Sequence, residues 1–260
     1  MRVRPTLLRG LAVLAGYLAV FFASWALAGV RYDTIGDSAA NVRDAMAIAL
    51  GAGSAYLVIV ATALGWWGPA MREARRAGRA WMWCLPVIIV VAIALNLAST
   101  RWGRIDHLGV YLFWLVIGSV LVGFAEEFVT RGLLLVGARG SLGEAGVWFT
   151  TSLCFGLLHV PNALFGQDAG TTAFQVFFAF GLGTALYVTR RLSGTLIIAM
   201  VLHGAWDFSI FVQGHSVDGL RDAPPALGSA LVQPLIVLSL VAVWFVLRGD
   251  REAGTPDASA

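Results

Sequence analysis

The chain has 260 residues, of which 58% are hydrophobic and 13% are charged, and its formal net charge is +3. Soluble domains carry about 25% charged residues, and a soluble fold of this length cannot bury so much apolar surface, whereas lipid can solvate it. The composition therefore excludes a sizeable soluble domain and favours an all-α polytopic transmembrane bundle, because lipid cannot satisfy exposed backbone groups. All 18 basic residues are arginines, and no basic stripe interleaves with aromatic residues, which argues against nucleic acid as a partner.

Eight apolar segments follow one another along the chain. They are Leu7–Ala28, Ala45–Trp67, Trp81–Ala98, Leu108–Val136, Ala145–Val160, Ala169–Thr189, Gly194–Val212 and Ala226–Leu247. Most approach the ~20 residues that a helix needs to cross ~30 Å of hydrocarbon. The pattern predicts one integral membrane domain over residues 1–248, solvated by membrane lipid, and a disordered polar tail over residues 249–260. The first apolar run exceeds the ~7–15 residues of a signal-peptide core, which favours a retained span.

The arginines predict the orientation of these spans. Thirteen of the 18 lie at the N-terminus, at alternate connections or in the tail: Arg2, Arg4, Arg9, Arg72, Arg75, Arg76, Arg79, Arg131, Arg139, Arg190, Arg191, Arg248 and Arg251. The other five alternate with acids: Arg31, Arg43, Arg101, Arg104 and Arg221 among Asp33, Asp37, Asp106, Asp218 and Asp222. Because cytoplasmic loops carry the excess of basic residues, both termini are predicted to be cytoplasmic. The arginine-only, alanine-rich composition is typical of GC-rich bacteria, so the inner membrane is the expected location.

Six ionisable residues lie well inside three of the predicted spans, where charged groups are costly and usually functional. They are Glu126, Glu127, Arg131, His159, His203 and Asp207. Their spacings are helical, so members of one span share a face. This concentration predicts an intramembrane active site.

Within the fourth span, Glu127 and Arg131 are four residues apart and are expected to form a structural ion pair. Glu126 is rotated by about 100° from Glu127 and has no local partner. In the fifth span, Phe155 lies one turn before His159 and is expected to pack against the site. If the chain turns near Leu142, Glu126 and His159 lie at nearly the same depth.

In the seventh span, His203 and Asp207 are four residues apart, and a carboxylate bonded to an imidazole fixes its tautomer. By helix rise, His203 is nominally ~8 Å shallower than Glu126 and His159. Helix tilt, or a fourth span that projects into the cytoplasm, would absorb this difference.

Two kinds of chemistry fit one glutamate and two histidines, and both end in acyl hydrolysis. Glu126, His159 and His203 have the His₂Glu composition of a zinc site, with Asp207 behind His203, and we slightly prefer this interpretation. Alternatively, Glu126 acts as a general base on water without any metal. The chain has no HExxH and no GxSxG, and no serine or cysteine is placed beside a base, so covalent catalysis is disfavoured.

The order Glu-Glu-x-x-x-Arg, Phe-x-x-x-His, His-x-x-x-Asp on successive spans resembles the CPBP family, the CAAX-processing and bacteriocin-processing intramembrane proteases also called the Abi family. The resemblance covers roughly residues 108–212. It implies an intramembrane (metallo)endopeptidase that cleaves protein or peptide substrates near the C-terminus or in membrane-associated segments. It also implies that Glu126 activates water with help from His159, and that His203 and Asp207 stabilise an oxyanion. Asp207 stands where the prenyl-protein branch often has Asn, and a carboxylate donates no hydrogen bond unless it is protonated.

Two other functions compete with proteolysis: a membrane scaffold or immunity protein that retains the motifs, and a transporter or proton path, which would more often show broken spans in repeated halves. If the chain is a protease, water must reach the site. We predict a cavity between the fourth, fifth and seventh spans that opens to the cytoplasm, where Arg139, Arg190 and Arg191 would attract an acidic peptide end.

Overall fold

The structure, a computed structural model, describes residues 1–216 and 227–254. In this part of the chain eight helical segments are long and apolar enough to cross a membrane. They are α1 (Leu7–Ala28), α2 (Ala39–Leu64), α3 (Ala80–Ser99), α4 (Leu108–Arg139), α5 (Glu144–Phe165), α6 (Ala169–Ser193), α7 (Ile197–His215) and α8 (Leu227–Asp250). The predicted all-α bundle of eight spans is therefore confirmed, and each span lies within a few residues of its apolar segment.

Polar caps and one glycine set the ends of the spans. Thr6 Oγ1 accepts from the Arg9 amide at 3.3 Å at the start of α1, and Asp168 Oδ1 accepts from the Thr171 amide at 2.9 Å at the start of α6. These caps satisfy amides that have no partner within their own helix. After α6, Gly194 adopts a left-handed φ of 79°, which a residue with a side chain rarely tolerates. The chain can thus reverse directly into α7.

Three spans depart from a regular α-helix. The segments Val42–Ile48 in α2 and Phe128–Leu134 in α4 are π-helical, and α5 ends in a 3₁₀ turn over Val160–Phe165. Pro161 fits at the start of that turn because its missing amide proton is not needed there. The π-helical segment of α4 begins directly after Glu127, and such widened turns often occur at functional sites.

Backbone-to-backbone packing joins α4 to α7. A Cβ atom added at Gly123 would lie 2.2 Å from the Met200 carbonyl oxygen, and one added at Gly204 would lie 2.5 Å from the Ser119 carbonyl oxygen. Small residues let membrane helices approach this closely. The two glycines therefore bring the acidic pair of α4 within reach of the histidine of α7.

We expect Gly204→Ala to lower the stability of the protein by about 1–3 kcal/mol, because the added methyl group overpacks the contact between α4 and α7. The matched control is Gly109→Ala, also in α4, where an added Cβ meets nothing within 4 Å. Thermal unfolding in detergent micelles checks the prediction. Equal melting temperatures for the two variants would contradict the close packing.

The C-terminal segment extends the last helix. The last helix runs over Val232–Gly254, past residue 248, where the sequence analysis ends the membrane domain. Asp250 accepts two hydrogen bonds of 3.0 Å from the Arg191 guanidinium, which attaches this turn to α6. Residues 255–260 lie outside the described residues, as do the Asp218, Arg221 and Asp222 used to predict the orientation.

Candidate active site

A fully buried ion pair lies at the centre of the polar site. Arg131 Nη1 is 3.0 Å from Glu127 Oε1, and both side chains are 0% exposed. The same nitrogen donates to Thr130 Oγ1 at 2.7 Å, and the guanidinium carbon lies 3.8 Å from the centre of the Phe155 ring. Pairing and ring stacking stabilise both charges at a depth where either alone would be costly.

Glu127 also fixes the imidazole of His203. Its Oε1 accepts from His203 Nδ1 at 2.9 Å, so the carboxylate of α4 bonds to Arg131 and to α7 at once. Asp207 lies at the opposite edge of the ring, with Oδ2 3.9 Å from Nε2, which is longer than a hydrogen bond. The sequence pointed to Asp207 as the residue that orients His203. In the structure the carboxylate within hydrogen-bond distance of the His203 ring is that of Glu127.

Phe155 lies between the two histidines. Its ring meets the His159 imidazole edge-to-face with centroids 5.6 Å apart, and the His203 imidazole in the same way at 5.3 Å. Since its other contact is the Arg131 guanidinium, one aromatic side chain touches three of the six ionisable residues. Gly183 on α6 leaves room for this packing, because a Cβ there would lie 3.0 Å from the Phe155 ring and 2.8 Å from Arg131.

The hydrogen bonds of the histidines fix which nitrogen is available. His159 Nδ1 lies 3.2 Å from the Phe155 carbonyl oxygen, which only accepts, so Nδ1 carries the proton. His203 Nδ1 carries a proton for the same reason, because its partner is the Glu127 carboxylate, which only accepts. In each ring Nε2 is left for a substrate or a water molecule, as an acceptor when the ring is neutral and as a donor when it is protonated.

Glu126 differs from its neighbour in its ion pairing: one oxygen of each carboxylate is buried without a partner, but Glu127 pairs through Oε1 with Arg131 and His203, and Glu126 has no such pair among the described residues. Its Oε2 is buried without a hydrogen bond, while Thr130 Oγ1 donates to its backbone oxygen at 2.5 Å. The side chain lines a cavity of about 440 Å³. Phe155, His159, His203 and Asp207 line the same cavity, so the predicted site residues meet there. Glu127 and Arg131 lie behind this wall.

A chain of polar side chains also lines the cavity and was not foreseen from the sequence. Asn162 Nδ2 donates to Gln175 Oε1 at 3.1 Å, and Gln175 Nε2 donates to the Tyr32 hydroxyl at 2.6 Å. Gln167, Ser229 and Gln233 are further polar lining residues. No spacing reveals this group, because its members come from α5, α6, α8 and the α1–α2 and α5–α6 connections. They offer amide and hydroxyl groups of the kind that bind a peptide backbone.

The side chains do not form the expected metal set. Three zinc ligands must lie ~2.0–2.2 Å from one ion and therefore close to one another. Within residues 1–216 and 227–250 no three His, Cys, Asp or Glu side chains form a group that could hold a metal ion. Glu126, His159 and His203 therefore border one cavity without converging on one point.

The bundle has two unlike ends. We call the end with the N-terminus, the 65–79 connection and Arg248 the arginine end, and the end with the 29–38 and 166–168 connections the cavity end. The residues that line the cavity come from the connections at the cavity end and from the adjoining halves of the spans. Examples are Tyr32, Ile35, Gln167, Phe174, Ile210 and Ser229. The cavity therefore lies in the half of the bundle away from the arginine end, whereas Arg139, Arg190 and Arg191 do not line it.

Those three arginines are held in an ion cluster instead. Arg190 Nε is 2.5 Å from Glu73 Oε1 and Arg139 Nη1 is 2.9 Å from Glu73 Oε2, while Glu144 accepts from Arg139 and Arg191 at 2.6 Å each. With Asp250 on Arg191, three acids balance three bases. Arg190 also donates to the backbone oxygens of Ala70 and Arg131. These charges hold the connections together, so they do not attract an acidic peptide end.

The fold and the site define a multi-pass membrane protein with a buried Glu–Arg–His cluster beside a polar-walled cavity. Residues 108–209 match the family model described as Type II CAAX prenyl endopeptidase Rce1-like. This segment runs from the start of α4 almost to the end of α7 and includes all six ionisable residues of the site, so the predicted family resemblance is confirmed. The match shows that this segment is similar to CAAX-type intramembrane endopeptidases. Neither the curated proteins nor the solved structures compared with the chain give a match.

Proposed function

We propose that this protein hydrolyses peptide bonds of protein or peptide substrates inside the membrane, near a C-terminus or in a membrane-associated segment. The carboxylate of Glu126 activates water. The observation that carries the proposal is the Glu126 carboxylate, which lacks the ion pair of Glu127 and stands in the wall of a cavity that two oriented imidazoles also line. A carboxylate held only for structure would be paired, as Glu127 is.

The reaction then follows ordinary general acid–base chemistry. Glu126 takes a proton from water, and the water oxygen bonds to the peptide carbonyl carbon. His159, whose Nε2 is left as an acceptor, aligns that water. The protonated Glu126 gives its proton to the amide nitrogen, the C–N bond breaks, and a carboxyl and an amine terminus result.

His203 supplies the positive charge that the tetrahedral intermediate needs. It lies between two carboxylates, Glu127 at 2.9 Å and Asp207 at 3.9 Å, and both favour the imidazolium form. Its Nε2–H donates to the oxyanion, a contact that strengthens as charge develops. In this scheme Asp207 acts through His203, so the Asp207 carboxylate does not have to donate a hydrogen bond to the oxyanion.

We propose a metal-free reaction, since the donor groups do not converge. The prediction is that the purified protein keeps its activity after treatment with a strong chelator, and that metal analysis finds well below one equivalent of zinc. Hydrolysis of an internally quenched apolar peptide in detergent micelles is the readout. Loss of activity that zinc restores, with about one equivalent bound, would instead support the His₂Glu alternative. A chelator-treated soluble zinc protease serves as the positive control for metal removal.

The proposed location is the bacterial cytoplasmic membrane, with both termini on the cytoplasmic side. Eight exposed arginines support this orientation, because all of them lie at one end of the bundle: Arg2, Arg4, Arg9, Arg72, Arg75, Arg76, Arg79 and Arg248. Positive charge of this density favours the cytoplasmic face and its anionic lipids.

A further inference from the structure

The charge asymmetry of the bundle bears on which side of the membrane supplies the substrate. At the cavity end the described arginines are Arg31, Arg43, Arg101 and Arg104, and the described aspartates are Asp33, Asp37, Asp44, Asp106 and Asp168. Four bases thus stand among five acids, and two of these bases form ion pairs of 2.9 and 2.7 Å. The arginine end has its eight exposed arginines in addition to the balanced ion cluster. The positive-inside rule counts basic residues near the span ends, so it assigns the arginine end to the cytoplasm.

Protein fills the path from the site to the arginine end. Every residue from Glu127 to Ala138 on α4 is buried, and so is every residue from Gly181 to Ser193 on α6. The ion cluster lies beyond them, with Arg190 0% exposed and bonded to Glu73.

The opposite half of α6 is different. Most of the residues from Ala169 to Phe180 are exposed or half-buried, and Phe174, Gln175 and Phe178 line the cavity. The wall there combines aromatic side chains with neutral amides and hydroxyls. In the described part of the chain, the acids that line the cavity are Glu126 and Asp207, and none of the lining residues is an arginine.

We infer that the cavity opens to the extracytoplasmic side, and that its substrate is an uncharged, apolar peptide segment presented from that side. The substrate part of this inference rests on the proposed function, whereas the access part rests only on charge and cavity geometry. The amides of the peptide would form hydrogen bonds with the linked side chains of Asn162, Gln175 and Tyr32. The Tyr32 hydroxyl accepts from Gln175, so its own proton remains for a substrate carbonyl.

Cysteine labelling of intact bacterial cells tests the access side. In a Cys84→Ala, Cys154→Ala background, Ser229→Cys places a thiol in the cavity wall, and Asp37→Cys and Arg75→Cys mark the cavity end and the arginine end. A membrane-impermeant maleimide added outside should label positions 37 and 229 but label position 75 only after permeabilisation. The reverse pattern would overturn the orientation. Labelling of position 37 without position 229 would overturn the open cavity.

A second readout separates this inference from the proposed function. Labelling Ser229→Cys with a bulky maleimide should reduce hydrolysis of the quenched apolar peptide at least tenfold, while labelling Asp37→Cys should leave it unchanged. A peptide carrying two added lysines in its cleaved segment should be cleaved at least tenfold less well. If position 229 labels from outside but the unlabelled native protein cleaves nothing, the access assignment stands and the proposed protease function fails. Equal cleavage of both peptides would overturn the substrate class alone.

Discussion

Replacing Glu126 by glutamine is expected to reduce peptide hydrolysis by roughly 10²- to 10⁴-fold, the contribution typical of a general base. The two side chains have the same shape, and the buried Oε2 of Glu126 has no hydrogen-bond partner that the amide would lose. The fold should therefore remain intact, and the melting temperature should stay within a few degrees of the native value. Steady-state hydrolysis of the quenched peptide and thermal unfolding, both in the same detergent, measure the two effects.

Asp37→Asn is the matched control, because Asp37 is an exposed acid at the cavity end and does not line the cavity. It should retain full activity. Glu126→Gln protein that keeps more than a few per cent of the native rate would exclude the role of Glu126 as the base. A native protein that is folded but inactive towards every apolar peptide would favour the alternative of a scaffold or immunity protein.

The spans were predictable because lipid imposes one requirement on every one of them. A run of about 20 apolar residues must form a helix, whatever its neighbours are. The first span runs over Leu7–Ala28 in both the prediction and the structure. Local irregularities escape this argument. The composition of Phe128–Leu134 does not predict a π-helical turn, because such a turn depends on how α4 packs against its neighbours.

Contacts within one helix could be read from spacing, whereas contacts between helices could not. The four-residue interval places Glu127 beside Arg131 at 3.0 Å, and Phe155 beside His159. The same rule suggested that Asp207 orients His203. The stronger partner, Glu127, is on another span and is brought near by Gly123 and Gly204, whose role appears only when the helices are assembled.

The position of the cavity could not be predicted from the sequence for a similar reason. The sequence shows Arg139, Arg190 and Arg191 near connections but not the acids that pair with them. Glu73 is more than a hundred residues from Arg190 and lies 2.5 Å from it in the structure. Because such pairing turns an attractive basic surface into a closed cluster, arginine counts predict topology better than they predict where a substrate enters.

Loss of either member of the Glu127–Arg131 pair is expected to have the largest effect on stability. Glu127→Leu and Arg131→Met should each destabilise the protein by about 3–5 kcal/mol, because each leaves the opposite charge buried without its partner. The pair is 0% exposed, so solvent does not compensate for the loss. The control is Arg31→Met, which removes a pair whose arginine is 60% exposed and should cost no more than about 1 kcal/mol. Chemical or thermal unfolding in micelles measures all three variants.

The double variant Glu127→Leu, Arg131→Met separates stability from catalysis. It removes both charges, so it should regain most of the stability that either single change loses. Hydrolysis should nevertheless stay at least tenfold below the native rate, since His203 Nδ1 no longer has the carboxylate that holds it at 2.9 Å. Single variants that melt like the native protein would show that the pair is not buried. A double variant with native activity would show that His203 is oriented by Asp207 after all, because Asp207 is the other described carboxylate within ion-pair distance of its ring.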